Sequence, residues 1–134
     1  MATPGIIISA PTSGAGKTTI TLGILRALSD KGLNVSAAKI GPDFIDSKFH
    51  ERASSGRCVN LDSWGMNKPQ LQYLASETSK DSNIFVIEGV MGLLDGALQS
   101  GESGNGSTAS VALELGIPII LVIDESFLLN NNEP

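Results

Sequence analysis

Residues 5–19 read GIIISAPTSGAGKTT, and this stretch decides the fold. Residues 5–10 are apolar and rich in β-branched side chains, the pattern of a buried strand. A tight turn follows, and over residues 18–28 the apolar positions Ile20, Leu22, Ile24, Leu25 and Leu28 recur at helical spacing. Lys31 and Gly32 close that segment as a helix C-cap should. Between strand and helix, Gly16, Lys17 and Thr18 supply the end of the Walker pattern G-x-x-x-x-G-K-S/T, with Pro11 standing where its first glycine belongs. Such a turn aims backbone N–H groups and a helix N-terminus at an anion. Gly14 and Gly16 permit close approach, Lys17 reaches terminal phosphates, and Thr18 can ligate Mg²⁺. Ser13, Ala15 and Thr19 complete the set expected to cradle the phosphates of a nucleotide. An ordinary glycine-rich turn could share this composition, but a place between strand and helix is the context the motif requires.

Outward from the turn, residues 35–40 read as a second strand, ended by Gly41 and Pro42, with Asp43 and Asp46 in the loop beyond. Residues 47–68 are ambiguous, with a short helix near 48–53. A helix over 69–79 has proline in its first turn, and residues 84–87 form a third strand ending in Glu88 and Gly89. A polar, glycine-rich loop covers 98–107, a helix closed by Gly116 covers 108–115, and a fourth strand over 119–123 ends at Asp124. Strands alternating with helices predict a parallel α/β sheet. Residues 130–134 read as an unstructured end.

The 134 residues fit one domain, and 41% apolar against 17% charged residues favours a substantial core. The longest apolar run, residues 117–123, contains a proline and falls far short of the roughly 20 residues of a membrane span. No secretory pattern opens the chain. The single Cys58 excludes an internal disulfide or a multi-cysteine metal cage, so a cytoplasmic location without membrane partners is expected. A net charge of −5 and 4% aromatic residues disfavour nucleic acid. One local polyanion site remains compatible with that charge.

In a parallel sheet, ligands collect beyond the carboxyl ends of the strands. Asp43, Asp46, Glu88 and Asp124 sit at or past such ends, on the edge that carries Lys17. Mg²⁺ takes one or two carboxylates beside the phosphates, and Glu88, then Asp43, are the first choices. Asp46 and Asp95 read equally as turn residues bonding their own backbone, and Asp124 more so. Lys39, at the end of the second strand, suits an anionic group. His50 is the sole histidine, so no histidine pair can bind metal, and no nucleophile elbow supports a triad around it. Cys58 reads as a small core residue, and Trp64 and Met66 as packing residues rather than pocket walls.

Five blocks resemble the opening of cobyrinate a,c-diamide synthases. They are Ala10 to Thr19 (APTSGAGKTT), Lys39 to Asp46 (KIGPDFID), Asn60 to Trp64 (NLDSW), Glu88 to Gly96 (EGVMGLLDG) and Gly106 to Ala109 (GSTA), in the family's order across about residues 5–124. Pro11 is itself usual in that family. The resemblance implies a P-loop NTPase-like, three-layer α/β/α fold with a mostly parallel, dethiobiotin-synthetase-like sheet, cut short after four strands with an exposed edge. It implies an ATP-dependent amidoligase domain over 1–124 and a divergent tail over 125–134. By the same resemblance, the family's glutamine amidotransferase domain, with its own cysteine and histidine, is expected to be absent from these 134 residues, and Cys58 is not expected to belong to it.

The implied reaction phosphorylates the a and c acetate carboxylates of cobyrinate, or of metal-free hydrogenobyrinate, and ammonia from glutamine then displaces the phosphate. By the match, Lys17 and Thr18 serve ATP and Mg²⁺, while Glu88 and Asp43 orient metal and acceptor carboxylate. Lys39 would neutralise phosphate or carboxylate, and Asp46 would serve the substrate side. The chain alone is then expected to show weak or no glutamine-dependent activity. Cobyric acid synthase differs in carrying Gln-Asn-Met after the second strand, and dethiobiotin synthetase lacks the Gly-Val-Met-Gly-Leu block. The diamide synthase acting on sirohydrochlorin stays an alternative corrinoid-like reading. So does a non-catalytic nucleotide switch akin to partitioning ATPases, although these carry an extra lysine where this chain has Thr12.

Overall fold

The computed structural model describes residues 3–12, 14–41, 50–51 and 58–125. Its apolar runs form five strands: β1 (Gly5–Ala10), β2 (Val35–Ile40), β3 (Cys58–Leu61), β4 (Ile84–Met91) and β5 (Ile119–Leu121). They lie side by side in the order β3-β2-β4-β1-β5, and every neighbouring pair is parallel. Among the described residues, α1 (Lys17–Asp30), α2 (Lys68–Ser79) and α3 (Thr108–Leu115) supply or flank the crossovers. Among the described residues no helix is long and apolar enough to cross a membrane.

Alternate strand residues point to opposite faces, so adjacent apolar residues feed two separate cores. Ile8, Ala37 and Val86 pack with Ile24, Leu25 and Leu28 of α1. Their neighbours Ile7, Ala38, Phe85 and Ile87 pack with Leu71 and Ala75 of α2 and with Val111 and Ala112 of α3. The result is the expected three-layer α/β/α sandwich. Both faces of the central strands are covered, which is why β2 is buried at every position. Fully burying a side chain such as Phe85, Ile7 or Leu25 contributes about 1.5–3 kcal/mol.

Three sequence expectations need correction. The sheet has five strands, because β3 forms inside the ambiguous 47–68 stretch; a four-residue strand, Cys-Val-Asn-Leu, is too short to show a period. Of the helix expected near 48–53, only His50 and Glu51 are described, and both are helical. β4 runs on to Met91, so Glu88 lies within the strand rather than just after it. β5 ends at Leu121, two residues short of the expected 123. It sits at the edge of the sheet beside β1, with Ile120, Leu121 and Ile123 exposed. The other helix ends follow the sequence: Asn67 and Gln70 make a reciprocal capping box at α2, with Pro69 in its first turn.

Candidate nucleotide site

The turn after β1 ends in two glycines, Gly14 and Gly16, both with left-handed backbones at φ 81° and 87°. L side chains strain there, so glycine suits both positions. Gly16 caps α1, among the described residues without a side-chain cap hydrogen bond, and the first turn carries no acidic residue. Those amides and the helix dipole are therefore left to face an anion. Thr12, Gly14, Gly16, Lys17, Thr18, Thr19 and Met91 line a cleft of about 430 Å³ over this turn.

The strand register brings the charges to the cleft. Lys39 of β2 pairs across the sheet with Glu88 of β4 on one side and Asn60 of β3 on the other. Paired residues of parallel strands share a face, and here it is the α1 face. Immediately after Glu88 the β1–β4 register slips: Ile8 faces Glu88, but Ala10 faces Met91. This bulge at Gly89 and Val90 turns the Gly89 carbonyl toward the cleft, a common use of bulges beside sites.

Glu88 is the hub. Its Oε1 accepts hydrogen bonds from Lys17 Nζ at 2.8 Å and Thr18 Oγ1 at 2.6 Å, and Lys39 Nζ stands 3.7 Å away. Lys17 Nζ also donates to the Gly89 carbonyl at 2.7 Å. On the other side, His50 Nε2 lies 2.5 Å from Glu88 Oε2, off the ideal hydrogen-bond line. Glu88 and His50 are fully buried, and Lys39 is nearly so. Burial pushes the Glu88 carboxyl upward; the donors from His50, Lys17 and Thr18 and the charge of Lys39 outweigh it and hold the group well below the usual carboxylate range. Glu88 is thus a buried carboxylate, ionised at neutral pH.

Thr18 and Glu88 form a donor pair that a nucleotide-bound Mg²⁺ would fit. Among the described residues no three His, Cys, Asp or Glu side chains cluster for a metal. One carboxylate and one hydroxyl, 2.6 Å apart at the foot of a phosphate turn, match an ion that takes its other ligands from phosphates and water.

The structure brings together Gly14, Gly16, Lys17, Thr18 and Thr19 in the cleft lining, with Ala15 in the turn between the two glycines, and joins Lys39 and Glu88 to them through the Glu88 carboxylate. Ser13, Asp43 and Asp46 lie outside the described residues. Asp124 is half-buried just beyond β5. The Asp95 carboxyl lies close over Gly92. Met66 packs against the core, whereas Trp64 is 52% exposed and does not serve as a packing residue.

Sequence reasoning set His50 aside, yet it touches Glu88. Its one signal is its place just past the Asp43–Asp46 loop as the chain's only histidine. Also missed was Ser63, whose buried hydroxyl accepts from Gly106 N at 3.0 Å and meets Ser110 Oγ at 2.6 Å. Together with Ser103, which donates to Met66 O at 2.6 Å, it stitches the glycine-rich loop to the turn after β3.

Known proteins bear on this geometry. Hydrogenobyrinate a,c-diamide synthase of Rhodobacter capsulatus is 48% identical over 120 residues, which is 90% of this chain and 27% of that protein. The enzyme of the same name from Rhizobium meliloti is 44% identical over 120 residues, with the same shares. Cobyrinate a,c-diamide synthase of Thermoplasma acidophilum is 49% identical over 124 residues, 92% of this chain and 27% of that protein. The chain therefore spans about a quarter of the length of these relatives. The sequence profile of the CobQ/CobB/MinD/ParA nucleotide binding domain matches residues 6–127, which takes in the phosphate turn, Lys39 and Glu88. On that match, over a parallel sheet whose strand ends carry the Lys17–Glu88 cluster, the chain belongs to the CobQ/CobB/MinD/ParA nucleotide-binding domain family.

Proposed function

We propose that this chain binds Mg²⁺–ATP and forms the amide-making half of a cobyrinate or hydrogenobyrinate a,c-diamide synthase in corrinoid (cobalamin) synthesis. The observation that carries the reading is the convergence of Lys17, Thr18 and Lys39 on the buried Glu88 carboxylate at the foot of the phosphate turn. The 44–49% identity to diamide synthases supports the substrate class.

An acetate carboxylate is a poor electrophile because its leaving group would be oxide. Transfer of the terminal phosphoryl of ATP to a carboxylate oxygen yields ADP and an acyl phosphate. Ammonia then attacks the carbonyl carbon, and inorganic phosphate departs with the C–O electron pair. Both partners of the first step are anions, so their approach needs neutralising charge. Lys17 would leave Glu88 for the β- and γ-phosphates. Lys39, from the neighbouring strand, would face the acceptor carboxylate or the transferring phosphoryl. Thr18 and Glu88 would hold Mg²⁺, which when bound neutralises phosphate charge. Asp43 and Asp46 are proposed to serve the acceptor side, Asp43 also toward the metal. The turn residues Ser13, Gly14, Ala15, Gly16 and Thr19 would cradle the phosphates. Ammonia would come from a glutamine amidotransferase domain, the usual source in this reaction class.

The test is calorimetric titration of the chain with Mg²⁺–ATP and then with hydrogenobyrinic or cobyrinic acid, beside Lys17→Ala. Lys17 donates to a charged group, and loss of such a bond costs about 1.5–3 kcal/mol, so nucleotide affinity should fall about tenfold or more in the variant. Equal affinity in both proteins would remove Lys17 from the site. Saturable nucleotide binding with no response to either corrinoid acid would leave a nucleotide domain of another substrate class.

A further inference from the structure

Glu88 has two oxygens with different neighbours. Oε1 carries every contact to the phosphate turn and to Lys39, whereas Oε2 faces His50. Lys17 and Thr18 both donate to Oε1, and a carboxylate held by one oxygen can still swing about that oxygen. His50 holds the second oxygen: its imidazole is fully buried and its Nε2 lies 2.5 Å from Oε2. A buried carboxylate oxygen deprived of that neighbour would lose a close polar contact away from solvent, which favours rotation or retreat of the whole side chain.

We propose that His50 is a positioning residue: it holds Glu88 so that Oε1 is presented to Thr18 and to the Mg²⁺ of a bound nucleotide. His50 does not itself meet phosphate or metal. The inference rests on the reading of Glu88 as the acid of a Mg²⁺–nucleotide site. It predicts that His50 governs the metal-dependent part of nucleotide binding and leaves the metal-free part to the turn and Lys17.

The test measures ADP affinity by calorimetry against Mg²⁺ concentration for the chain, His50→Ala, His50→Gln, His50→Asn and Glu88→Gln. In His50→Ala the Mg²⁺ concentration for half-maximal effect should rise about tenfold, with metal-free ADP affinity within about twofold, as partners that orient metal ligands usually show. The Gln amide reaches about as far as imidazole Nε2, so His50→Gln should return the midpoint to within about threefold; the shorter His50→Asn should not. If His50→Ala does not fold by circular dichroism, the Gln and Asn pair decides in the same way. An unchanged midpoint in His50→Asn, a parallel fall of metal-free and Mg²⁺-dependent affinity, or a failed Gln rescue overturns the proposal. Glu88→Gln separates the two levels. If it raises the midpoint while the His50 variants do not, only the positioning role falls. If it leaves the midpoint unchanged, the reading of Glu88 falls, and the role of His50 with it.

Discussion

Thr18 donates its hydroxyl to Glu88 Oε1 at 2.6 Å across 70 positions of sequence, joining the first turn of α1 to the middle of the sheet. Both residues therefore meet at one point. Thr18 is tied to the phosphate turn by sequence, and Glu88 is tied to the sheet by strand pairing. The site is the meeting of those two constraints.

The hydroxyl rather than the methyl of Thr18 is what that meeting requires. Thr18→Ala should weaken Mg²⁺–ATP binding about tenfold, the effect of losing a hydrogen bond to a charged group, while Thr18→Ser stays within about threefold. Calorimetry on the two variants checks this; equal losses in both would show that shape, not the hydroxyl, matters.

Glu88 makes stability depend on pH in acid. Its carboxyl is held below its ordinary value of 4.5, so below that pH the unfolded chain binds protons that the folded chain refuses. The stabilisation is fully present above pH 4.5 and is lost as pH falls toward the folded value. Urea midpoints of the chain and of Glu88→Gln, measured from about pH 3 to pH 7, should converge toward the acid end. At neutral pH the variant should be the weaker by about 3–5 kcal/mol, because Lys17 and Lys39 lose their buried counter-charge. Parallel curves across that range would contradict the assignment.

Gly89 is a packing requirement. A Cβ there would stand 2.7 Å from Thr108 Oγ1, 2.9 Å from its Cγ2 and 3.2 Å from the Ile8 carbonyl oxygen. Gly89→Ala should destabilise the fold by about 1–3 kcal/mol, as overpacking does. The same change combined with Thr108→Ala should cost clearly less than the sum of the two, since the second variant vacates the space. Additive losses in thermal melts would mean that the Ile8 backbone, not Thr108, sets the limit.

Ser63 ties the glycine-rich loop down. Its hydroxyl is buried, and Ser63→Ala leaves the Gly106 N–H and the Ser110 hydroxyl without it, a loss of about 1–3 kcal/mol. Hydrogen exchange should speed at Glu102, Ser103 and Gly106, whose amides bond within this stitch, while β1 and β2 stay protected. Uniform exchange across the sheet would point to global loosening instead.

The phosphate turn and most of the sheet were legible because they obey short-range rules. Strand, turn and helix lie within residues 5–28, and periodicity or composition marks each one. Lys39 and Glu88 were legible too, since the carboxyl ends of parallel strands collect ligands whatever the sequence between them. What stayed hidden depends on distant partners. β3 has four residues and becomes a strand only because β2 offers it an edge. The reach of β4 beyond Ile87 needs the bulge opposite Ala10 to be seen. His50 reads as an unremarkable lone histidine until the fold carries it 38 positions away to Glu88. Trp64 reads as core by its size, but its own turn leaves it outside.

Strands such as β1, β2 and β4 are apolar on both faces, so hydrophobicity alone would let them slide past one another without much penalty. A slip of one residue between β2 and β4 would swing Lys39 into the layer of α2 and α3, among Leu71, Phe85 and Ile87, and set an alkyl group opposite Glu88. Each stranded charge would cost several kcal/mol. The ion pair thus acts as a checksum on assembly, and misaligned sheets are rejected by the same atoms that meet at the foot of the phosphate turn.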